Sequence, residues 1–188
     1  MIKLHEPFIH GNEWRYIKNC LDKGWVSSVG KYVDLFEKKI AEYTGSKYAI
    51  ACINGTSALQ ISLKLVDVGI DEEVIVPSMT FIAPVNAISY NNAKPIFMDS
   101  NNYYTIDIDK TLEFLNKETR TVRRKKLLIT INKKTGKRIA ALIVVHLFGN
   151  AVKLDELIDL CKKKNIPLIE DSAESIGTFY GLGRFKNK

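Results

Sequence analysis

Asp171 closes the segment Ile166-Pro-Leu-Ile-Glu-Asp171, a short apolar run that stops on two carboxylates. A carboxylate so placed can hold a positive charge: a metal ion, a sugar hydroxyl donor or a protonated ring nitrogen. Three other segments put polar or special residues straight after apolar runs. Asn54-Gly55-Thr56-Ser57 offers backbone N–H groups and two hydroxyls, Pro77-Ser-Met-Thr-Phe81 ends on an aromatic ring, and His146-Leu-Phe-Gly149 begins with an imidazole. A glycine-and-hydroxyl turn opening a helix is an anion cradle, because amide donors and the positive end of the helix dipole converge there. Taken alone it is a weak motif, and it lacks the GxxxxGK[ST] pattern of a P-loop. Each feature also has a structural reading. Glu170 and Asp171 can simply open a turn or cap a helix, Phe81 can be a core residue at a helix start, and His146 reads equally as a structural histidine or a ligand contact.

The elements that would carry these residues follow from periodicity. Asn12 can cap a first helix with Trp14, Ile17 and Leu21 on one face, ending near Gly24. The Gly24–Gly30 loop, with Trp25 and Ser27 inside it, reads equally as a ligand-contact loop or a plain connector. A second helix from Val33 to Tyr43 would turn Phe36, Ile40 and Tyr43 inward. Tyr48–Ile53 is strand-like, and the helix after it sets Leu59, Leu63 and Val66 on its apolar side. Strands over Val74–Val76, Lys94–Met98 and Ala141–His146 alternate with helices over Ala83–Tyr90, Lys110–Asn116 and the Leu154, Leu157, Ile158, Cys161 stripe. Leu127–Asn132 and Lys137–Ala140 bracket a Lys133-Lys-Thr-Gly136 turn, which suggests a β-hairpin insertion. Ile166–Ile169 reads as a buried parallel strand. The alternation predicts a three-layer α-β-α fold with a mostly parallel sheet, where ligands sit beyond the carboxyl ends of the strands.

Composition narrows the function. The chain has 188 residues, 46% of them hydrophobic, enough for one sizeable domain. No apolar run approaches the length of a membrane span, and the first ten residues lack a signal-peptide layout. Three cysteines without CxxC spacing argue against a disulfide framework or a zinc site and for a reducing cytoplasm. The +7 charge gathers in Arg123–Lys126, Lys133-Lys134, Lys137-Arg138, Lys162–Lys164 and Lys186–Lys188, at strand flanks and helix ends. No aromatics interleave these runs, so they read as solvated edges, and neither nucleic acid nor membrane is the expected partner.

A parallel sheet would gather the four polar strand ends on one edge. An anion cradle, a flat ring to stack and a buried carboxylate together match pyridoxal 5′-phosphate (PLP). The ordered segments NGTSALQISL, VPSMTFIAPVNAI, HLFGNAVKLDEL and IEDSAESIG, preceded by GWVSSVGKYVDLFE, resemble the DegT/DnrJ/EryC1/StrS aminotransferases over roughly residues 1–180. These are fold-type-I, PLP-dependent enzymes acting on nucleotide-linked keto-sugars. The NKKTGKRIAAL insertion resembles most the branch acting in legionaminic-acid and related UDP-amino-sugar pathways.

The resemblance implies roles. Gly55, Thr56 and Ser57 would hold the cofactor phosphate and Phe81 would stack on the pyridine ring. Asp171 would pair with the ring nitrogen, and Glu174 would stand near the phenolic oxygen. Trp25 and Ser27 would face substrate. Glutamate would donate the amino group to a UDP-linked 4-keto-6-deoxy sugar, for surface polysaccharide or amino-sugar synthesis, and the intact form would be a homodimer. The same resemblance places the Schiff-base lysine in an S-F-x-x-x-K-x-I-T-T-G-E context beyond Lys188. Residues 1–188 are therefore expected to be an N-terminal segment plus most of a PLP-binding large domain, truncated before its small C-terminal domain, with no catalytic residue of their own. Two other readings remain: a catalytically dead remnant of that family, and a nucleotide-binding α/β module that uses Asn54–Ser57 for phosphate.

Overall fold

A computed structural model of the chain describes residues 6–124 and 127–186. Lys125, Lys126 and Lys188 of the basic runs lie outside the described residues. Two compact units result, one up to Ala51 and one from Cys52 onward.

The first unit holds two helices, α1 (Glu13–Asp22) and α2 (Lys31–Thr44). Gly24 and Gly45 follow them in left-handed conformation (φ +61° and +69°), which glycine adopts without a Cβ penalty. The expected inward face of α2 is not buried: Phe36 is 55% and Tyr43 56% exposed, and neither helix buries any residue fully. Two helices of this length have too little surface between them to cover both apolar stripes.

In the second unit, α3 (Gly55–Leu65) leads to β1 (Glu73–Pro77), α4 (Ile82–Tyr90) and β2 (Lys94–Met98). Then come α5 (Ile108–Lys117), β3 (Thr119–Arg124), β4 (Leu127–Asn132), β5 (Ile139–Val145), α6 (Asp155–Lys164) and β6 (Leu168–Asp171). The main sheet has the order β2-β1-β5-β6, and every pairing in it is parallel. The chain winds outward from β1 to β2 on one side and from β5 to β6 on the other, so the winding reverses between β1 and β5. Their side chains alternate between two cores. Val74, Val76, Ile143 and Val145 meet Leu59 and Leu63 of α3 and Ala87 and Ile88 of α4. Ile75, Leu142 and Val144 meet Leu115 of α5 and Leu157 and Cys161 of α6. The expected three-layer α-β-α architecture is thus present.

Three local expectations fail. Tyr48–Ile53 forms no strand; it has no pairing partner among the described residues, and Tyr48, Ile50 and Ile53 are 73%, 78% and 90% exposed. The strand predicted at Ile166 starts at Leu168 and is half-buried rather than buried, since it pairs only with β5 and lies at the sheet's edge. The hairpin predicted across Lys133–Gly136 is displaced. β4 pairs antiparallel with β3, of which the sequence reading names only Arg123 and Arg124, as the start of a charged run. The Lys133–Gly136 turn adds only one bridge, Ile131 to Arg138, before the chain runs straight into β5.

Burial pushes the Cys161 thiol up to about 12. It also raises the Tyr180 phenol to about 12, with Glu170 and Asp155 adding to the effect. Both groups are held neutral by the fold. Their contribution is complete below their ordinary values of 9.0 and 10.0, and is lost as pH climbs through about 12. The urea midpoint should therefore fall between pH 9 and 12, and Cys161→Val should flatten the thiol's share of that fall, as read by circular dichroism.

Candidate active site

Parallel strands deliver their carboxyl ends to one edge, and a crevice opens there where the winding reverses. β1 brings Ser78–Phe81 to that edge, β5 brings His146, and β6 brings Asp171. Helix α3 runs back along the sheet, touches α4 and β6, and brings its N-terminus to the same edge.

Asn54 builds that N-terminus. Its Oδ1 accepts the Ser57 N–H at 2.8 Å, a side-chain cap, while its carbonyl accepts the Ala58 N–H at 3.1 Å. Among the described residues no acceptor takes the N–H of Gly55 or Thr56. Two free amides and the Thr56 and Ser57 side chains thus stand together at the start of α3, with the Ser57 amide already committed. Beyond β1, Phe81 stands in extended conformation just before α4 with its ring 71% exposed. The neighbouring Thr80 hydroxyl is buried and has no hydrogen-bond partner among the described residues.

At the β5–β6 ends, His146 is the fixed point. It is 4% exposed, its Nδ1 accepts the Val152 N–H at 3.1 Å, and its Nε2 lies 3.1 Å from Glu170 Oε2. An Nδ1 that accepts leaves the proton on Nε2, so the ring donates to Glu170. The His146 backbone N–H donates to the Asp171 carbonyl at 3.1 Å, continuing the β5–β6 ladder. Both ring nitrogens are committed, which makes His146 a structural histidine. Asp171 is half-buried, and its Oδ1 accepts the Ala173 N–H at 3.1 Å.

Glu174 is committed as well. Its Oε2 accepts the Phe148 N–H at 2.6 Å. Phe148 sits in the left-handed region (φ 54°) within the 3₁₀ turn Leu147–Gly149, where a bulky residue is costly. The same turn is held by Thr178 Oγ1 donating to the Gly149 carbonyl at 3.2 Å and by an edge-on contact between Phe148 and Tyr104. In the other unit, Trp25 Nε1 donates to the Val29 carbonyl at 2.7 Å. Trp25 and Ser27 line a cavity of about 420 Å³ with Asn19, Lys23 and Tyr32. The fold thus brings Gly55–Ser57, Phe81, Asp171 and Glu174 to one edge of the second unit. Sequence reading missed the Asn54 cap, although Asn three residues before Ser is its signal, and it missed Thr80. The Phe148 conformation has no sequence signal beyond the adjacent Gly149.

Residues 7–185 match the profile of the DegT/DnrJ/EryC1/StrS aminotransferase family. The chain belongs to that family. Its members are PLP-dependent sugar aminotransferases, and the fold seen here is the one they share. The chain is 40% identical over 178 residues to a GDP-perosamine synthase of Vibrio cholerae, covering 95% of this chain and 43% of the relative. It is 37% identical over 165 residues to a dTDP-3-amino-3,6-dideoxy-alpha-D-galactopyranose transaminase of Aneurinibacillus thermoaerophilus, covering 87% and 40%. The X-ray structure of an aminotransferase from Psychrobacter cryohalolentis superposes with a TM-score of 0.73 at 29% identity, over 91% of this chain and 39% of that one. The chain thus spans less than half the length of the curated relatives it matches. Among the described residues, no helix is long and apolar enough to cross a membrane.

His146→Ala strands the buried Val152 N–H, an omission that costs about 1–3 kcal/mol. Urea unfolding should show a loss of that size. Glu170→Gln should lose far less, because Glu170 keeps a side-chain oxygen to accept from Nε2 and its side chain is 44% exposed.

Proposed function

We propose that this chain supplies the cofactor-binding half of a PLP-dependent aminotransferase acting on a nucleotide-linked 4-keto-6-deoxy sugar, with glutamate as amino donor. The observation that carries the reading is the shared edge: free Gly55 and Thr56 amides at a helix N-terminus, an exposed Phe81 ring and the Asp171 carboxylate at a neighbouring strand end. The orphaned Thr80 hydroxyl fits a polar ligand at that edge. The residues present therefore suit the cofactor.

In this reading Gly55, Thr56 and Ser57 bind the phosphate through two amides and two hydroxyls, strengthened by the α3 dipole. Phe81 covers one face of the ring and keeps water from it. Asp171 holds a proton on the ring nitrogen, and its Ala173 contact fixes the direction in which the carboxylate points. Glu174 stands near the phenolic oxygen while Phe148 orients it. PLP, when bound, supplies an electron sink for carbon–hydrogen cleavage next to nitrogen. The lysine that moves that proton is not among the residues assigned here. Trp25 and Ser27 contact the substrate. Two chains assemble as a homodimer, and the reaction takes place in the cytoplasm.

We assign the nucleotide as UDP, the base suggested by the resemblance of the NKKTGKRIAAL insertion. The relatives above carry GDP and dTDP in their names, so competition among UDP-, GDP- and dTDP-sugars for binding decides the base. For the cofactor, titrating the 188-residue chain with PLP should give a saturable absorbance change. Asp171→Ala should weaken it at least about tenfold, the loss expected of a charge-assisted hydrogen bond worth about 1.5–3 kcal/mol. Tight binding of a nucleotide with no PLP-dependent change would instead establish the nucleotide-binding module.

A further inference from the structure

The edge of the sheet opposite the candidate site carries an unneutralised positive surface. β3 and β4 form a separate two-stranded ribbon there, between the end of α5 and the start of β5. Arg123 lies across from Leu128, and Arg124 from Leu127. Both arginines are exposed, and Leu127 and Leu128 are 65% and 41% exposed.

The ribbon is fastened to the basic end of α6. Thr130 Oγ1 donates to the Lys164 carbonyl at 2.7 Å, Lys164 Nζ donates to Thr119 Oγ1 at 3.1 Å, and Asn165 Nδ2 donates to the Leu128 carbonyl at 2.8 Å. Arg123 and Leu128 therefore stand on the ribbon face that meets α6 and its lysines, and Arg124 and Leu127 on the opposite face, since successive strand residues alternate. Burial, then repulsion from Lys163 and Lys133, lowers the Lys164 pKa. Carboxylates on this edge are largely committed elsewhere: Glu72 pairs with Arg138 at 3.1 Å, Glu73 accepts from Asn132 at 2.9 Å, and Glu113 pairs with Lys117 at 2.7 Å. Asp71 lies 3.7 Å from Lys137, and Glu118 and Asp67 are the acids left over among the described residues. Among the described residues neither Arg123 nor Arg124 has an ion-pair partner.

Anionic partners differ in what they need beside the charge. Single-stranded nucleic acid is held by aromatic rings on which bases stack, and β3 and β4 contain none. An anionic lipid surface is held by cations flanking small apolar groups that enter the headgroup boundary. Arg123 beside Leu128 on one face and Arg124 beside Leu127 on the other meet that requirement at the end of the ribbon. We infer that the β3–β4 ribbon, with the C-terminal lysines of α6, docks this chain on an anionic membrane surface without spanning it. Arg123, Arg124 and the α6 lysines are then contact residues rather than solvated edges.

Co-sedimentation of the whole chain tests this. It should bind mixed phosphatidylglycerol–phosphatidylcholine vesicles at low salt, bind pure phosphatidylcholine far less, and dissociate as salt rises. Combining Arg123→Gln with Arg124→Gln should weaken partitioning about twenty-five-fold, at roughly fivefold per charge. Leu127→Ser should weaken it further, while Lys38→Gln with Lys39→Gln, on exposed positions of α2, should leave it unchanged. Thermal melts by circular dichroism should match wild type for all variants, so that a loss reports the surface. Three results overturn the inference: no partitioning into anionic vesicles, an equal loss in the α2 variant, or tighter binding to an RNA oligonucleotide that the arginine substitutions abolish.

Discussion

β5 is the strand on which the second unit depends. All seven of its residues are buried, and a strand buried on both faces cannot exist without a layer against each. It divides the core in two, pairs with β1 on one side and β6 on the other, and hands its carboxyl end directly to His146. The register shift between Glu73 and Val74 leaves Ala140 as an extra residue on β5. Ala140 and Ala141 consequently both face the α3–α4 layer, where two larger side chains in succession would crowd the helices. Burial of β5, rather than any polar contact, sets the positions from which the site residues project.

The polar contacts refine those positions. His146 couples β5 to the Glu170 side chain, to the Asp171 backbone and to the segment leading into α6. Glu174 couples β6's following turn to the strained Phe148. Each carboxylate at this edge is thereby given a partner and a direction before any ligand arrives, which lowers the ordering cost of binding one.

Much of this was legible in the sequence because period and punctuation agreed. The Leu59/Leu63 stripe of α3, the Leu157/Cys161 stripe of α6 and the apolar run of β5 each carried a local signal that the tertiary structure then used. The failures share a cause. Tyr48–Ile53 has strand-like composition, but a strand is made by its neighbour and none is present to pair with it. Thr119–Arg124 mixes three arginines with its Thr and Val residues, and it pairs because β4 lies beside it. In the site, residue types pointed to an anion cradle and a strand-end carboxylate. Which atoms were already spent, such as the Ser57 amide, the Glu174 oxygen and both nitrogens of His146, depended on geometry that spacing does not encode.

Asp171 sits on the outermost strand of the sheet. The far side of β6 presents its backbone N–H and C=O groups outward, since β5 is its single ladder partner among the described residues. Such a margin can template a further strand, from this polypeptide or another. It would bury the flank of β6 and drain water from around Asp171. Low dielectric strengthens attraction between a carboxylate and a cation beside it. The affinity of Asp171 for a positive charge is thus a quantity that the next strand along would set.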